Sequence, residues 1–181
     1  MNLQFGVDHL LNENPDWKVK KIAFLTNDAA LTQKGMPSRK ALLEAGFNIV
    51  LLFSPEHGID TKGEDGFKIK DNVDPITKLN IISLYNNKLA PTQEDLVGIE
   101  VLLFDIPDAG TRFYTYLWTM SYFIETAATF NLPLYILDRP NPLGGLFSQV
   151  EGPLLDPSLS SFIGRFSIPI KHQSKIGRAH V

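Results

Sequence analysis

Five short apolar, β-rich runs, separated by helical or loop segments, recur along the 181-residue chain, and this alternation restricts the fold more than any other feature. It is the pattern of a parallel sheet whose strands are joined by crossover helices. The first run is Lys21-Ile22-Ala23-Phe24-Leu25. A helix is predicted after it from about Pro37, whose fixed φ suits a first turn, to Ala45, with Gly46 as the stop and Ala41, Leu42 and Ala45 as its inner face. The second run, residues 47–53, shows no polar alternation after Asn48, as expected of a strand covered on both faces in the middle of a sheet. Residues 60–74 are too rich in glycine and charge for a helix and too long for an ordinary connection, which suggests a functional loop. A third, short strand is Ile81-Ile82-Ser83-Leu84. Pro91-Thr92, with Asp95 three residues on, has the capping-box pattern that opens a helix. The fourth strand is Val101-Leu102-Leu103-Phe104. The longest helix follows, with Phe113, Leu117, Met120, Ile124 and Ala128 at three- and four-residue steps on its inner stripe and Tyr114 and Trp118 left free. The fifth strand, Leu134-Tyr135-Ile136-Leu137, opens into a Pro/Gly-rich segment, residues 139–157, in which no regular element can run far. The expected fold class is therefore α/β, a doubly wound, mostly parallel sheet of about five strands.

Every strand ends in a polar cluster: Thr26-Asn27-Asp28; Ser54-Pro55-Glu56-His57-Gly58; Tyr85-Asn86-Asn87; Asp105-Ile106-Pro107-Asp108-Ala109-Gly110-Thr111-Arg112; Asp138-Arg139-Pro140-Asn141-Pro142. In an open parallel sheet the carboxyl ends of the strands lie on one edge and line a common crevice, so one site built from five segments is the economical reading. Glu56 is the sharpest candidate. Glu is a poor turn residue, and here it follows an apolar strand and sits between Pro55 and His57-Gly58, a partly desolvated position that suits a catalytic acid. Asn27 and Asp28 are equally at home as helix caps or turn formers. His57 is balanced between substrate contact and an ordinary hydrogen bond. Asp105 and Asp108 could serve as second carboxylate or form a loop-shaping ion pair with Arg112. Tyr114 is expected to face the crevice, and Asp138, Arg139 and Asn141 sit on a loop stiffened by prolines. Glu151 is a further second carboxylate if the rigid segment returns it to the crevice, or a solvated surface residue.

Composition removes several classes. A net charge of -3 without any Lys/Arg run gives no footprint for nucleic acid. The absence of cysteine excludes a disulfide framework, a thiolate nucleophile and a cysteine-based zinc site. No apolar run reaches membrane-spanning length, and the first residues lack a basic segment followed by an apolar one, so the chain as written is expected to be soluble and cytoplasmic. Dinucleotide, P-loop, zincin and nucleophile-elbow signatures are all missing. A crevice of Glu, Asp, Arg, Asn and Tyr remains, suited to gripping sugar hydroxyls and to carboxylate acid/base chemistry.

Three motifs, Ser54-Pro55-Glu56-His57-Gly58, the stretch 105–116 and Leu137-Asp138-Arg139-Pro140-Asn141-Pro142-Leu143, resemble in order and spacing the NamZ family of exo-β-N-acetylmuramidases. The resemblance runs from about Gly6 to His172, includes Ser83-Leu84-Tyr85 and Glu151-Gly152-Pro153, and departs at Pro107, where members often carry Gln. It implies release of N-acetylmuramic acid from the non-reducing end of peptidoglycan fragments, without metal or organic cofactor. It also implies a Rossmann-like N-terminal catalytic domain, here residues 1–174, followed by a smaller domain that this chain lacks. Residues 176–181 can be encoded by a common sequencing-library adapter, so 175–181 are expected to be a non-native tail. In this reading Glu56 is the catalytic acid and Glu151, Asp105 or Asp108 the second carboxylate, with Asn27, His57, Arg112, Tyr114, Asp138, Arg139 and Asn141 contacting the sugar. The competing reading is a non-catalytic muropeptide- or sugar-binding module on the same fold.

Overall fold

The computed structural model describes residues 4–64, 67–144 and 147–172; the expected tail, 175–181, lies outside them. Among the described residues one sheet has the order β3-β4-β2-β1-β5-β6. Its strands are β1 (Ile22–Thr26), β2 (Ile49–Ser54), β3 (Asn72–Val73), β4 (Asn80–Ser83), β5 (Val101–Asp105) and β6 (Leu134–Ile136). All neighbours pair in parallel except β3, which runs antiparallel to β4 at the edge. With β3 set aside, the parallel strands counted along the chain lie in the order 3-2-1-4-5 of a Rossmann sheet. The direction of winding reverses between β1 and β5, where Thr26 stands opposite Asp105 at the carboxyl edge.

The strand pleat divides the core in two. Ile22 and Phe24 of β1 point to one face and pack with Val101 and Leu103, against Val7 and Leu10 of α1 (Gly6–Glu13) and Leu42 of α2 (Ser38–Glu44). Ala23 and Leu25 point to the other face, with Leu102 and Phe104, against Tyr116, Phe123 and Ala127 of α3 (Tyr116–Phe130). Both faces of β1 and β5 are thus covered, which explains why neither strand alternates apolar with polar residues.

Four local expectations are corrected. The loop 60–74 ends in the two-residue strand β3, too short and polar to stand out in a sequence. The capping box after Pro91 is made, with Thr92 N–H donating to Asp95 Oδ2 at 2.7 Å and Asp95 N–H to Thr92 Oγ1 at 3.4 Å. It caps only a 3-10 turn, Glu94–Leu96, because Gly98 at φ +75° turns the chain away at once. α3 starts at Tyr116, later than its periodicity suggested, so Phe113 is 58% exposed while Trp118 is 1% exposed. The Trp118 indole N–H is occupied by the Arg112 carbonyl at 2.8 Å. Finally β6 is a half-exposed edge strand, not a buried one.

Candidate active site

At the end of β1, Asn27 is fully buried. Its Oδ1 accepts from the Ala29 N–H at 3.1 Å, a turn-forming contact, and its amide lies beside the Tyr116 hydroxyl. Asp28 turns away, accepting from Arg39 Nη2 at 2.6 Å. Arg39 is buried on α2 and also forks onto Asp74, with Nε at 2.9 Å and Nη2 at 3.1 Å. Burial works to raise the Asp74 pKa, but Arg39 and the hydrogen bonds of Thr77 outweigh it and hold the carboxyl below its ordinary value. This Asp28–Arg39–Asp74 set ties α2 to the β3–β4 hairpin.

At the end of β2, Glu56 is buried although it follows a turn-prone Pro55. The start of α3 comes across to hold it: Thr115 Oγ1 donates to Glu56 Oε2 at 2.7 Å, and the Tyr116 hydroxyl reaches the Glu56 carbonyl at 3.4 Å. His57 takes a left-handed backbone, φ +66°, and its Nδ1 lies 2.9 Å from the Gly63 carbonyl. It lines a cavity of about 360 Å³ together with Asp60, Lys62, Lys70 and Asn72.

The loop after β5 carries two buried carboxylates with different partners. Asp105 receives a bidentate fork from Arg139, Nε to Oδ1 at 2.6 Å and Nη2 to Oδ2 at 2.8 Å. Burial pushes the Asp105 carboxyl up, and the guanidinium opposes that rise. Asp108 instead faces His172, with Nε2 3.2 Å from Oδ2, and accepts the Gly110 N–H at 3.1 Å. Burial raises the Asp108 pKa, against the pull of His172 and of the Gly110 and Ala109 N–H groups. Tyr114 lies half-buried near Asp108; burial and that carboxylate both raise its pKa. Its ring meets Tyr116 edge-on at 4.8 Å, which links Asp108 to the Glu56 region through two phenols.

The remaining candidates make contacts with the loops around the site. Arg112 donates to the carbonyls of Pro153 at 2.9 Å and Ile168 at 2.6 Å and pairs with neither Asp105 nor Asp108. Asn141 donates to the His172 carbonyl at 3.0 Å and accepts from Leu143 N–H at 2.9 Å. Asp138 is half-buried, its carbonyl accepting from Gly6 N–H at 2.7 Å. Glu151 is 70% exposed and pairs with Lys171 at 2.6 Å.

The structure therefore brings Asn27, Glu56, Asp105, Asp108, Tyr114 and Arg139 to the edge of the switch point, while Glu151 stands apart on the returning segment and Arg112, on the loop after β5, reaches over to that segment's carbonyls. Thr115, His172 and Arg39 join the set without having been singled out in the sequence. Thr115 is hidden among aromatic residues, His172 follows an aperiodic segment, and Arg39 looks like an ordinary charge on a short helix. Among the described residues no three His, Asp or Glu side chains gather in a way that could hold a metal ion.

A family profile described as Exo-beta-N-acetylmuramidase NamZ, N-terminal, matches residues 22–179. The chain belongs to the NamZ family. It is 40% identical over 180 residues to the peptidoglycan beta-N-acetylmuramidase NamZ of Bacillus subtilis strain 168, an alignment that covers 97% of this chain and 42% of that protein. Among solved structures, one DUF1343 family protein of Bacteroides fragilis superposes with a TM-score of 0.84 at 33% identity, over 95% of this chain and 43% of that one. A second from the same organism gives 0.79 at 32% identity, over 97% and 44%. The chain thus spans less than half the length of the NamZ relatives it matches. No helix among the described residues is long and apolar enough to cross a membrane.

Proposed function

We propose that this chain is the N-terminal catalytic part of a glycoside hydrolase that releases N-acetylmuramic acid from the non-reducing end of peptidoglycan-derived saccharides, with Glu56 as proton donor and Asp108 as second carboxylate. The observation that carries the reading is the buried Thr115–Glu56 hydrogen bond at the switch point. With Oε2 held by the Thr115 hydroxyl, Oε1 is the oxygen left to deliver a proton to a leaving glycosidic oxygen. Asp105 and Glu151 are engaged by Arg139 and Lys171, which leaves Asp108 as the carboxylate with an oxygen, Oδ1, that has no hydrogen-bond partner. Donation of the Glu56 proton to the glycosidic oxygen breaks the bond to the anomeric carbon, and Asp108 acts on that carbon's other side, directly or through water. The family profile's designation as N-terminal, and the 42% of the Bacillus subtilis relative that this chain spans, support a further part of the enzyme beyond this domain.

The test is hydrolysis of a chromogenic N-acetylmuramic acid glycoside by the full-length protein and its Glu56→Gln variant, with the product anomer followed by NMR. Turnover by the parent and its loss in the folded variant are expected. Binding without turnover in the parent would overturn the enzymatic reading in favour of a sugar-binding module. An initial product anomer matching the substrate's would assign direct attack by Asp108, and the opposite anomer attack by water.

A further inference from the structure

The segment 147–172 contributes no strand to the sheet, yet it delivers one side chain to the carboxyl edge. Its last turn is pinned by the backbone: Lys171 bridges both Thr111 and Glu151, Arg112 N–H donates to Ile170 O at 2.7 Å, and His172 N–H donates to Gly110 O at 3.1 Å. Asn141 Nδ2 closes the other side by donating to the His172 carbonyl at 3.0 Å. A side chain at Gly110 would collide with the Asn141 amide, so glycine at φ +81° is what lets the two loops close around the histidine. The imidazole so placed is 3% exposed, its Nε2 is 3.2 Å from Asp108 Oδ2, and Asp108 is itself 3% exposed. Neither ring nitrogen meets a better-aligned acceptor.

We propose that His172 is a positioning residue that holds Asp108 in its ionised form at the candidate active site. The proposal rests on the reading of Asp108 as the second carboxylate. A buried carboxylate with one unbonded oxygen favours its protonated form, and a protonated Asp108 can neither attack nor accept a proton. His172, with Nε2 3.2 Å from Oδ2, stands where a ring N–H opposes the carboxylate charge without covering Oδ1, whereas an arginine fork such as that on Asp105 occupies both oxygens. The other titratable group facing Asp108 is Tyr114, neutral across the physiological range; the Ala109 and Gly110 N–H groups come from its own loop. The charge on Asp108 therefore depends on His172.

Removing the histidine lets Asp108 take its proton at higher pH, so the acidic limb of kcat/KM moves to higher pH. The experiment compares the full-length parent with His172→Gln over about pH 4 to pH 8, a range that brackets ordinary carboxyl and imidazole titration. The expected result is a limb displaced upward, with the loss in kcat larger near pH 5 than near pH 7 and KM little changed. A uniform loss at every pH, with the limb unmoved, would overturn the proposal and make His172 a structural clasp. If His172→Gln does not fold, or the parent does not turn over, carboxyl and imidazole NMR titrations of the parent decide instead. Mutual inflections in the Asp108 and His172 curves support the pairing, and independent curves refute it, whatever the fate of the muramidase reading.

Discussion

Asp105 and Asp108 leave the same strand three residues apart and are both buried, yet they are treated in opposite ways. Asp105 is closed by a two-point fork from Arg139 and has no oxygen left over. Asp108 has one oxygen beside His172 and the Gly110 N–H and another with no hydrogen-bond partner. A completed pair of buried charges stabilises a frame, whereas an incomplete one costs stability and is retained where a reactive group is required. On the proposed reading, the contrast assigns Asp105 to the wall of the site and Asp108 to its chemistry.

Breaking the completed pair has the largest expected effect on folding. Asp105→Asn leaves the Arg139 charge uncompensated inside the protein and is expected to cost about 3–5 kcal/mol, measured by urea unfolding. A cost under about 1 kcal/mol would remove Asp105 from the frame. Asp108→Asn should do the reverse, lowering kcat by about 10²-fold or more while shifting unfolding by no more than about 1 kcal/mol, because it discharges a carboxyl that burial already disfavours. Equal losses of stability in the two variants would erase the distinction drawn here.

A third prediction concerns pH. The folded Asp74 pKa is depressed, so the Arg39–Asp74 contribution to stability is present above the unfolded value of about 3.9 and is lost as pH falls through the folded value. Asp74→Asn should therefore destabilise near pH 6 and converge with the parent in acid, as followed by thermal melts. Divergence that persists to pH 2 would mean the pair acts by shape and not by charge. The smallest effect is expected for Arg112→Lys. A single ammonium cannot replace a fork that reaches two carbonyls, so about 1 kcal/mol should be lost, together with faster proteolysis within 153–170 and an unchanged KM. A raised KM would return Arg112 to sugar contact.

The sheet was legible because β1 and β5 are covered on both faces and so read as uninterrupted apolar runs, and β2, with only Val50 exposed, reads nearly so. Glu56 was legible for a related reason: a long acidic side chain after such a run has no conformational motive to be there. β3 was not, since its two residues pair only because the 60–71 loop carries them back to β4. Phe113 and Trp118 exchanged places because Phe113 lies before the helix begins and the buried stripe runs through Trp118, Phe123 and Ala127, which leaves Ile124 outside it. His172 was illegible for a topological reason. Its partner lies on β5's loop, and the returning segment that carries it is positioned by isolated backbone bridges that leave no periodic trace. Arg112 was singled out because guanidinium is the common choice for sugars and carboxylates; its contacts with the Pro153 and Ile168 carbonyls left no trace in the sequence.

The hydrogen bond from Thr115 to Glu56 has a mechanical consequence. β2 belongs to the half-sheet wound one way from β1, and Thr115 belongs to the half wound the other way, so this contact of 2.7 Å is a tether across the seam. Sliding the halves past each other by ~1 Å would release the hydroxyl and let the Glu56 carboxyl swing, a displacement of the size that costs a misaligned catalytic group about 100-fold in rate. The site is in this sense a strain gauge for the sheet: Phe53 and Phe123 meet edge-on across that seam, so a substitution that repacks them should be felt at Glu56 as well as in the melting of the fold.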